Sequence, residues 1–201
     1  IYGNPFDAGP VPEVPGQFPL LTMFNLGATQ RTGSMEDAFI MLEPLNATLR
    51  LLTLHTNPGF EEGPIPASIE LFTKLTSVHL AGTNRNGMLG AVNFPPQLTN
   101  LYLEANPKLV AGPVPKSFAQ LTKLTTCRLS DTNRYGAANA DACALAVAKG
   151  NACECAAGYE GDRCQTKASC TTQLCTDAKL DCGADAGTCV IPADPAAVWG
   201  D

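Results

Sequence analysis

Charge, aromatic rings and histidine are all scarce in this sequence, and each shortage removes a class of function. Only 16% of the 201 residues are charged and 6% are aromatic, with one tryptophan and two histidines. Acids outnumber bases 19 to 13, for a net charge of -6, and the lysines and arginines form no cluster. A nucleic-acid partner is therefore not expected, because neutralising phosphates needs grouped cations. Apolar-leaning stretches such as "DACALAVAKG" fall far short of the roughly 20 residues that span a bilayer. His55 and His79 have no serine or cysteine in a Gly-x-Ser-x-Gly elbow to act with, and no phosphate-cradling glycine loop is present. Glu61 and Glu62 are neighbours whose side chains diverge on a turn, which suits a solvated acidic patch and not a glycosidase pair. Neither an enzyme nor a cofactor is expected.

Leucine and proline, by contrast, recur in phrases. "NPGFEEGPIP" (57–66) returns as "NPKLVAGPVP" (106–115) and, shortened, as "NPFDAGPVP" (4–12). A Pro-x-Pro pair fits neither a helix interior nor a central strand, so it belongs on an edge or turn. Gly63 and Gly112 just before it ease a turn there. Each phrase follows a block of the form Leu-x-x-Leu-x-Leu-x-x-Asn, as in "LRLLTL" before Asn57 and "LTNLYL" before Asn106. Between these blocks lie "LTMFNLGAT", "LTSVHLAGT" and "LTTCRLSDT", which carry Thr29, Thr83 and Thr132 in the asparagine slot. With the pair Ile1/Asn4 at the start, the slot alternates strictly between Asn and Thr. The units are 23 to 28 residues long, and the period is a double repeat of about 49 residues, as from Leu54 to Leu103. Such self-similarity is the mark of a solenoid, whose units bury their leucines only against one another.

"LTNLYLEANPKLVAGPVPKSFAQLTKL" resembles the plant-type extracellular leucine-rich repeat, whose hallmark is a Gly-x-Ile-Pro phrase after the Leu/Asn block. The resemblance covers residues 1 to about 136. The units with "TQRTG", "TNRNG" and "TNRYG" depart from it by lacking proline and carrying Thr in the ladder slot. They are more similar to leucine-rich surface antigens of trypanosomatid protozoa. The fold class implied is an α/β-type repeat solenoid, mostly strand and turn, right-handed, with six strands of which the first is incomplete. Ile1 already occupies the last apolar position of its block, so either residues precede it or an open repeat end meets another subunit. "SMEDAFIMLEPLNAT" is the longest insertion between strands and is expected to be the most irregular part of the convex side. It holds Asn46 in "NAT", the only complete N-glycosylation acceptor.

Eight of the nine cysteines lie between residues 143 and 189, a density that reads as a disulfide framework in an oxidising compartment. "CECAAGYEGDRC" (153–164) resembles the closing phrase of an EGF-like module. That resemblance implies a bridge from Cys155 to Cys164, with Tyr159 packed over it, and leaves Cys143 to join Cys153. Cys170, Cys175, Cys182 and Cys189 resemble the opening of a second module, and their connectivity cannot be read from spacing. The organisation expected is a solenoid over 1–136, an EGF-like module over 137–165 and a partial second module over 166–201. Cys127 replaces a leucine in the last block and is expected to be a buried free thiol, a bridge to the terminal module being the alternative. No histidine lies near these cysteines, so no metal site is expected.

Side chains alternate along a strand, so the residue between the last two apolar positions faces away from the core. The concave row is then Asn25, Thr53, His79, Tyr102 and Arg128, flanked by residues such as Met23, Arg50, Ser77, Asn100 and Thr126. His79 reads as a lone surface histidine. Arg31, Arg85 and Arg134 each lie two residues after the slot Thr and form either an edge ladder for acidic groups or caps on carbonyls within their own turns. The function expected is a non-catalytic extracellular or cell-surface glycoprotein that recognises a protein or glycan. The alternative is a structural subunit that binds copies of itself head-to-tail.

Overall fold

The computed structural model describes residues 7–12, 18–137, 139–156 and 159–167, with two short strands at 181–182 and 189–190. In chain order the elements are β1 (Met23–Asn25), α1 (Met35–Leu42), β2 (Leu51–Thr53), β3 (Gly63–Pro64), β4 (Ser77–His79), β5 (Arg85–Gly87), β6 (Asn100–Tyr102), β7 (Lys108–Leu109), β8 (Thr126–Arg128), α2 (Ala140–Ala148), and the strands β9 (Tyr159–Glu160), β10 (Thr166–Lys167), β11 (Asp181–Cys182) and β12 (Cys189–Val190). Each leucine block supplies one strand of a parallel sheet in the order β1-β2-β4-β6-β8. The first block, Ile1 to Asn4, lies outside the described residues, so five of the six expected strands are in view. A second parallel ladder, β3-β5-β7, is built from the segments that follow the slot. Pro64 sits on β3 at the edge of that ladder, where its missing N–H costs nothing.

The core fills the space behind the main sheet. Phe24, Leu52, Val78, Leu101 and Cys127 are in register across it and buried, with Leu26, Leu54, Leu80, Leu103 and Leu129 beside them. Cys127 is a free thiol, as its leucine position implies, and burial pushes its pKa up. From the opposite side come Phe39 against Phe72 and Phe94 against Phe118, both edge to face, at 5.7 and 6.0 Å.

Turns between strands leave carbonyls without a ladder partner, and burying them requires donors from elsewhere. The alternating slot supplies these. Asn106 donates through Nδ2 to the carbonyls of Leu80 (2.9 Å) and Leu103 (2.8 Å), while its Oδ1 accepts from the N–H groups of Thr83 and Arg85. Asn57 does the same one double repeat earlier, towards Leu26, Leu54, Thr29 and Arg31. Each slot Thr donates its hydroxyl to the carbonyl three residues before it. The arginine two residues later then reaches backwards: Arg85 donates to the carbonyls of Thr83, Pro64 and Glu61. Arg31 and Arg134 repeat the pattern on Thr29, Pro10 and Asp7, and on Thr132, Pro113 and Val110. The Thr29 and Thr83 units are thus held by an asparagine from the unit after and by carbonyls from the unit before, whereas the Thr132 unit, the last, keeps only the contacts to the unit before.

The bracket explains why the two kinds of unit differ. Gln30, Asn84 and Asn133 follow the slot Thr with φ of 55–61°, a left-handed conformation that Asn tolerates well. In the Asn units that position is Pro58 or Pro107, whose ring forbids it. Gly63 and Gly112 are not at positive φ, contrary to a pure turn role. A Cβ on Gly112 would crowd the Arg134 guanidinium at 3.3 Å, whereas one on Gly63 would make an ordinary 3.5 Å contact with that of Arg85.

One further segment departs from the sequence expectation. The long insertion is regular, not irregular: Ser34 caps α1 by accepting from the N–H groups of Glu36 and Asp37, and Met35, Ala38, Phe39 and Leu42 face the core. At the other end, α2 packs on β8 and brings Cys143, Ala144, Val147 and Ala148 into the same apolar core. Cys143 bonds Cys153, and Cys155 bonds Cys164. The ring partner of Tyr159 is Tyr135 of the last repeat, at 5.9 Å. Gly136 between them is at φ 83°, and a Cβ there would meet the Cys164 carbonyl at 2.1 Å. Cys170 and Cys175 lie outside the described residues, and the backbone alone pairs Cys182 with Cys189 across β11 and β12.

The bracket and the leucine ladder make separable contributions to stability. Leu103→Ala should lose about 2–5 kcal/mol by leaving a cavity. Arg85→Met keeps the volume but orphans buried carbonyls and should lose about 3 kcal/mol. Arg85→Lys should recover little of that, since a point charge cannot replace a fork that serves three carbonyls. Urea denaturation of the three variants measures this, and wild-type stability in Arg85→Lys would remove the fork from the account.

Candidate ligand-binding face

The parallel register aligns the predicted concave row strand by strand: Asn25, Thr53, His79, Tyr102 and Arg128 face one another across β1, β2, β4, β6 and β8. Thr53 is nearly covered, whereas Arg128 keeps 60% of its side chain exposed. The flanking row needs one correction. It runs Met23, Leu51, Ser77, Asn100 and Thr126, so Leu51 takes the place expected of Arg50, which sits one position earlier on the opposite pleat. The face is therefore apolar at the β1 end, where Met23 and Leu51 lie, and charged at the β8 end.

His79 is not alone. Its ring stacks on His55 at 4.1 Å and 26°, and Tyr102 leans on its other side at 4.8 Å. His55 lies two residues beyond Thr53, in the column that holds Gly27, Ala81 and Glu104 in the neighbouring units. Gly27 leaves the space: a Cβ there would come within 2.5 Å of His55 Nε2. The imidazole is further held by a 2.9 Å hydrogen bond between Nδ1 and the Thr56 hydroxyl. Glu104 Oε1 approaches His79 Nε2 at 3.9 Å, while Oε2 is enclosed with no hydrogen-bond partner among the described residues.

Burial governs the charge states here. It lowers the His79 pKa to about 4, with a smaller push from His55, and it lowers that of His55 too. It raises the Glu104 pKa, against a lesser pull from Arg128. At 3.9 Å the His79–Glu104 contact is thus no salt bridge at neutral pH, since the imidazole is uncharged. Beyond it, Arg128 pairs with Asp141 of α2 at 3.5 Å, and the other Asp141 oxygen accepts from the Leu129 N–H at 2.6 Å. Among the described residues no group of three His, Cys, Asp or Glu side chains could hold a metal.

The remaining sequence candidates fall elsewhere. Arg31, Arg85 and Arg134 form no outward ladder; their donors are committed to carbonyls, and Arg31 and Arg85 are buried. Burial lowers the Arg85 pKa to about 10, which still leaves it charged. Asn46 ends the 3-10 turn between α1 and β2 and is half-buried. Glu61 and Glu62 line one small cavity but are engaged separately: Glu62 pairs with Lys108 at 2.5 Å, and Glu61 serves Arg85 through its carbonyl. His55, Glu104 and Asp141 were missed. His55 and Glu104 share a column one residue past the last leucine, a signal that aligning the units would have shown.

Stacked parallel strands, a leucine core, an asparagine slot and a second ladder carrying the Gly-Pro phrase define a leucine-rich-repeat solenoid of the kind found in plant receptor ectodomains. No protein-family model and no curated protein matches the sequence. Among solved structures the chain is similar to the Arabidopsis receptor kinase HAESA, in complex with the peptide hormone IDA and the co-receptor SERK1, at 25% identity and a TM-score of 0.51. It is also similar to the leucine-rich-repeat ectodomain of the membrane receptor kinase GASSHO1/SCHENGEN3 from Arabidopsis thaliana, in complex with CASPARIAN STRIP INTEGRITY FACTOR 2, at 25% identity and a TM-score of 0.54. These matches cover 67% and 69% of this chain but only 21% and 16% of the respective receptors, so the chain spans about a fifth of their length or less.

The imidazole pair makes stability depend on pH. Between the ordinary value of 6.5 and the folded value of about 4, the unfolded chain binds a proton at His79 that the folded chain refuses. Stability therefore falls as pH falls through that window. Glu104, raised in the folded state, takes up its proton early and offsets part of the loss. Allowing for partial exposure, His79 should account for about 1–2 kcal/mol between pH 7 and pH 4. Melting curves should show His79→Gln flattening the acid side of the profile; a parallel profile in that variant would refute the assignment.

Proposed function

We propose that the protein is a non-catalytic extracellular recognition protein that holds a peptide or protein segment along its concave face. The observation that carries this is the in-register face itself, with Met23 and Leu51 at one end, the His55–His79–Tyr102 cluster in the middle and Arg128 with Glu104 at the other. Strands stack at ~4.8 Å, so five of them present a track of roughly 19 Å, the length of about six residues of extended chain. The gradient from apolar to charged gives such a ligand one preferred direction. Both solved structures cited above contain a ligand-bound receptor, which supports a peptide or protein as the class of ligand.

Two disulfides support an extracellular setting, and no helix of the described residues is long and apolar enough to cross a membrane. An N-glycan on Asn46 and the three-part division at 136 and 165, with EGF-like character beyond the solenoid, belong to the same proposal. A second reading, a subunit that assembles head-to-tail, draws on one feature: Phe18 and Leu20 are 53% and 82% exposed on the connection entering β1.

Selection of peptides from a displayed random library, followed by mapping with variants, tests the main reading. Binders should lose about tenfold or more in affinity with Tyr102→Ala, a central aromatic anchor, and with Arg128→Ala. They should be indifferent to Lys116→Ala on the convex side. Binders that ignore both concave substitutions sink the proposal, and sedimentation of the unliganded protein reports on assembly.

A further inference from the structure

The edge of the main sheet where its strands begin differs in character from the concave row. The residue before each block's first leucine contributes Lys74, Gln97 and Lys123 in neighbouring units, and the residue after it contributes Arg50, Thr76 and Thr99. A cavity of about 480 Å³ opens there, lined by Arg50, Thr73, Lys74, Thr76, Pro96 and Gln97. Lys123 donates to Gln97 Oε1, which brings a third cation to the rim and leaves the Gln97 amide N–H groups unengaged among the described residues. The Thr76 hydroxyl donates to the Arg50 carbonyl at 3.1 Å and that of Thr99 to the Thr76 carbonyl at 2.9 Å, which fixes the floor.

The charge of this edge is unlike that of the rest of the molecule. Among the described residues six other cations are occupied: Lys108 on Glu62, Arg128 on Asp141, and Arg31, Arg85, Arg134 and Arg163 on carbonyls. Arg50, Lys74 and Lys123 have no carboxylate partner among the described residues, and no acid lines the cavity, although the chain carries six more acids than bases. What faces the cavity is a set of donors: a guanidinium, an ammonium, the Gln97 amide and the Thr73 hydroxyl. Such a set accepts an anion with further oxygens beside its charge. Lys74 and Lys123 are two strands apart, roughly 10 Å, so the ligand should carry charges at intervals along a line. Pro96 between them offers an apolar ring face, and with the neutral donors this fits a sugar better than a peptide.

We propose that this edge binds an anionic polysaccharide, a linear chain of sugars bearing carboxylate or sulfate groups. The proposal rests on the extracellular reading above and not on the concave peptide track. Polygalacturonate oligomers and heparin oligosaccharides, titrated by biolayer interferometry at low salt, separate the carboxylate from the sulfate source. At least one should bind, and affinity should fall with added salt. The double variant Arg50→Gln/Lys74→Gln should weaken it about tenfold or more, with Lys123→Gln adding to the loss. Lys116→Gln/Lys149→Gln changes net charge equally at a distance and should cost less than about twofold. Unchanged melting temperatures establish that the variants fold. Equal losses in both pairs, no binding of either sugar, or polyglutamate binding as tightly as the sugars would each overturn the proposal, the last by assigning the edge to acidic protein. Inorganic sulfate displacing the oligomers at matched charge overturns the polymer and leaves a simple anion pocket. Tyr102→Ala should leave sugar binding intact while weakening the selected peptides about tenfold or more, so the two proposals fail separately.

Discussion

Everything in this solenoid depends on supplying donors to carbonyls that turn inward between strands. A sheet satisfies its own backbone, and the leucines behind it need only neighbours, but a turn buried every two dozen residues would accumulate unpaired oxygens. Asn57 and Asn106 each serve two such carbonyls and accept two N–H groups in return. The three arginines extend the same service to the Gly-Pro side. Because those side chains are spent on the frame, the concave face is free to vary from unit to unit.

That freedom is used unevenly. Ring stacking, a half-buried carboxylate and an exposed ion pair are concentrated on β2, β4, β6 and β8, while the β1 end offers Met23 and the uncharged Asn25. The placement of α2 contributes directly, since Asp141 both closes the last strand through the Leu129 N–H and sets the charge beside Arg128. Closing the core and shaping the face are here one event.

Much of the fold was legible in the sequence because leucine spacing reports burial, and burial fixes register. The concave column Asn25 to Arg128 followed from strand alternation alone. What the pattern of apolarity cannot show is where a polar side chain spends its donors. Arg31, Arg85 and Arg134 are as regular as any ligand ladder, yet their regularity comes from regularly spaced carbonyls. His55 was missed for a related reason: it lies past the strand, beside the left-handed Thr56, where alternation no longer states direction. The insertion read as irregular because its length broke the period, although Ser34, Glu36 and Asp37 spell a helix start.

The bracket also imposes a parity on the molecule. The units of Thr29 and Thr83 offer backbone N–H groups to the asparagine of the unit after them and aim their arginine at the Gly-Pro carbonyls of the unit before them, so two Thr units set side by side would leave the first without its asparagine and the second without its Gly-Pro carbonyls. Duplication or loss of coding sequence in this array would then be tolerated in steps of one 49-residue pair and resisted in steps of one repeat. The solenoid grows like a chain of two-part links, and its concave track can lengthen only by two strands at a time.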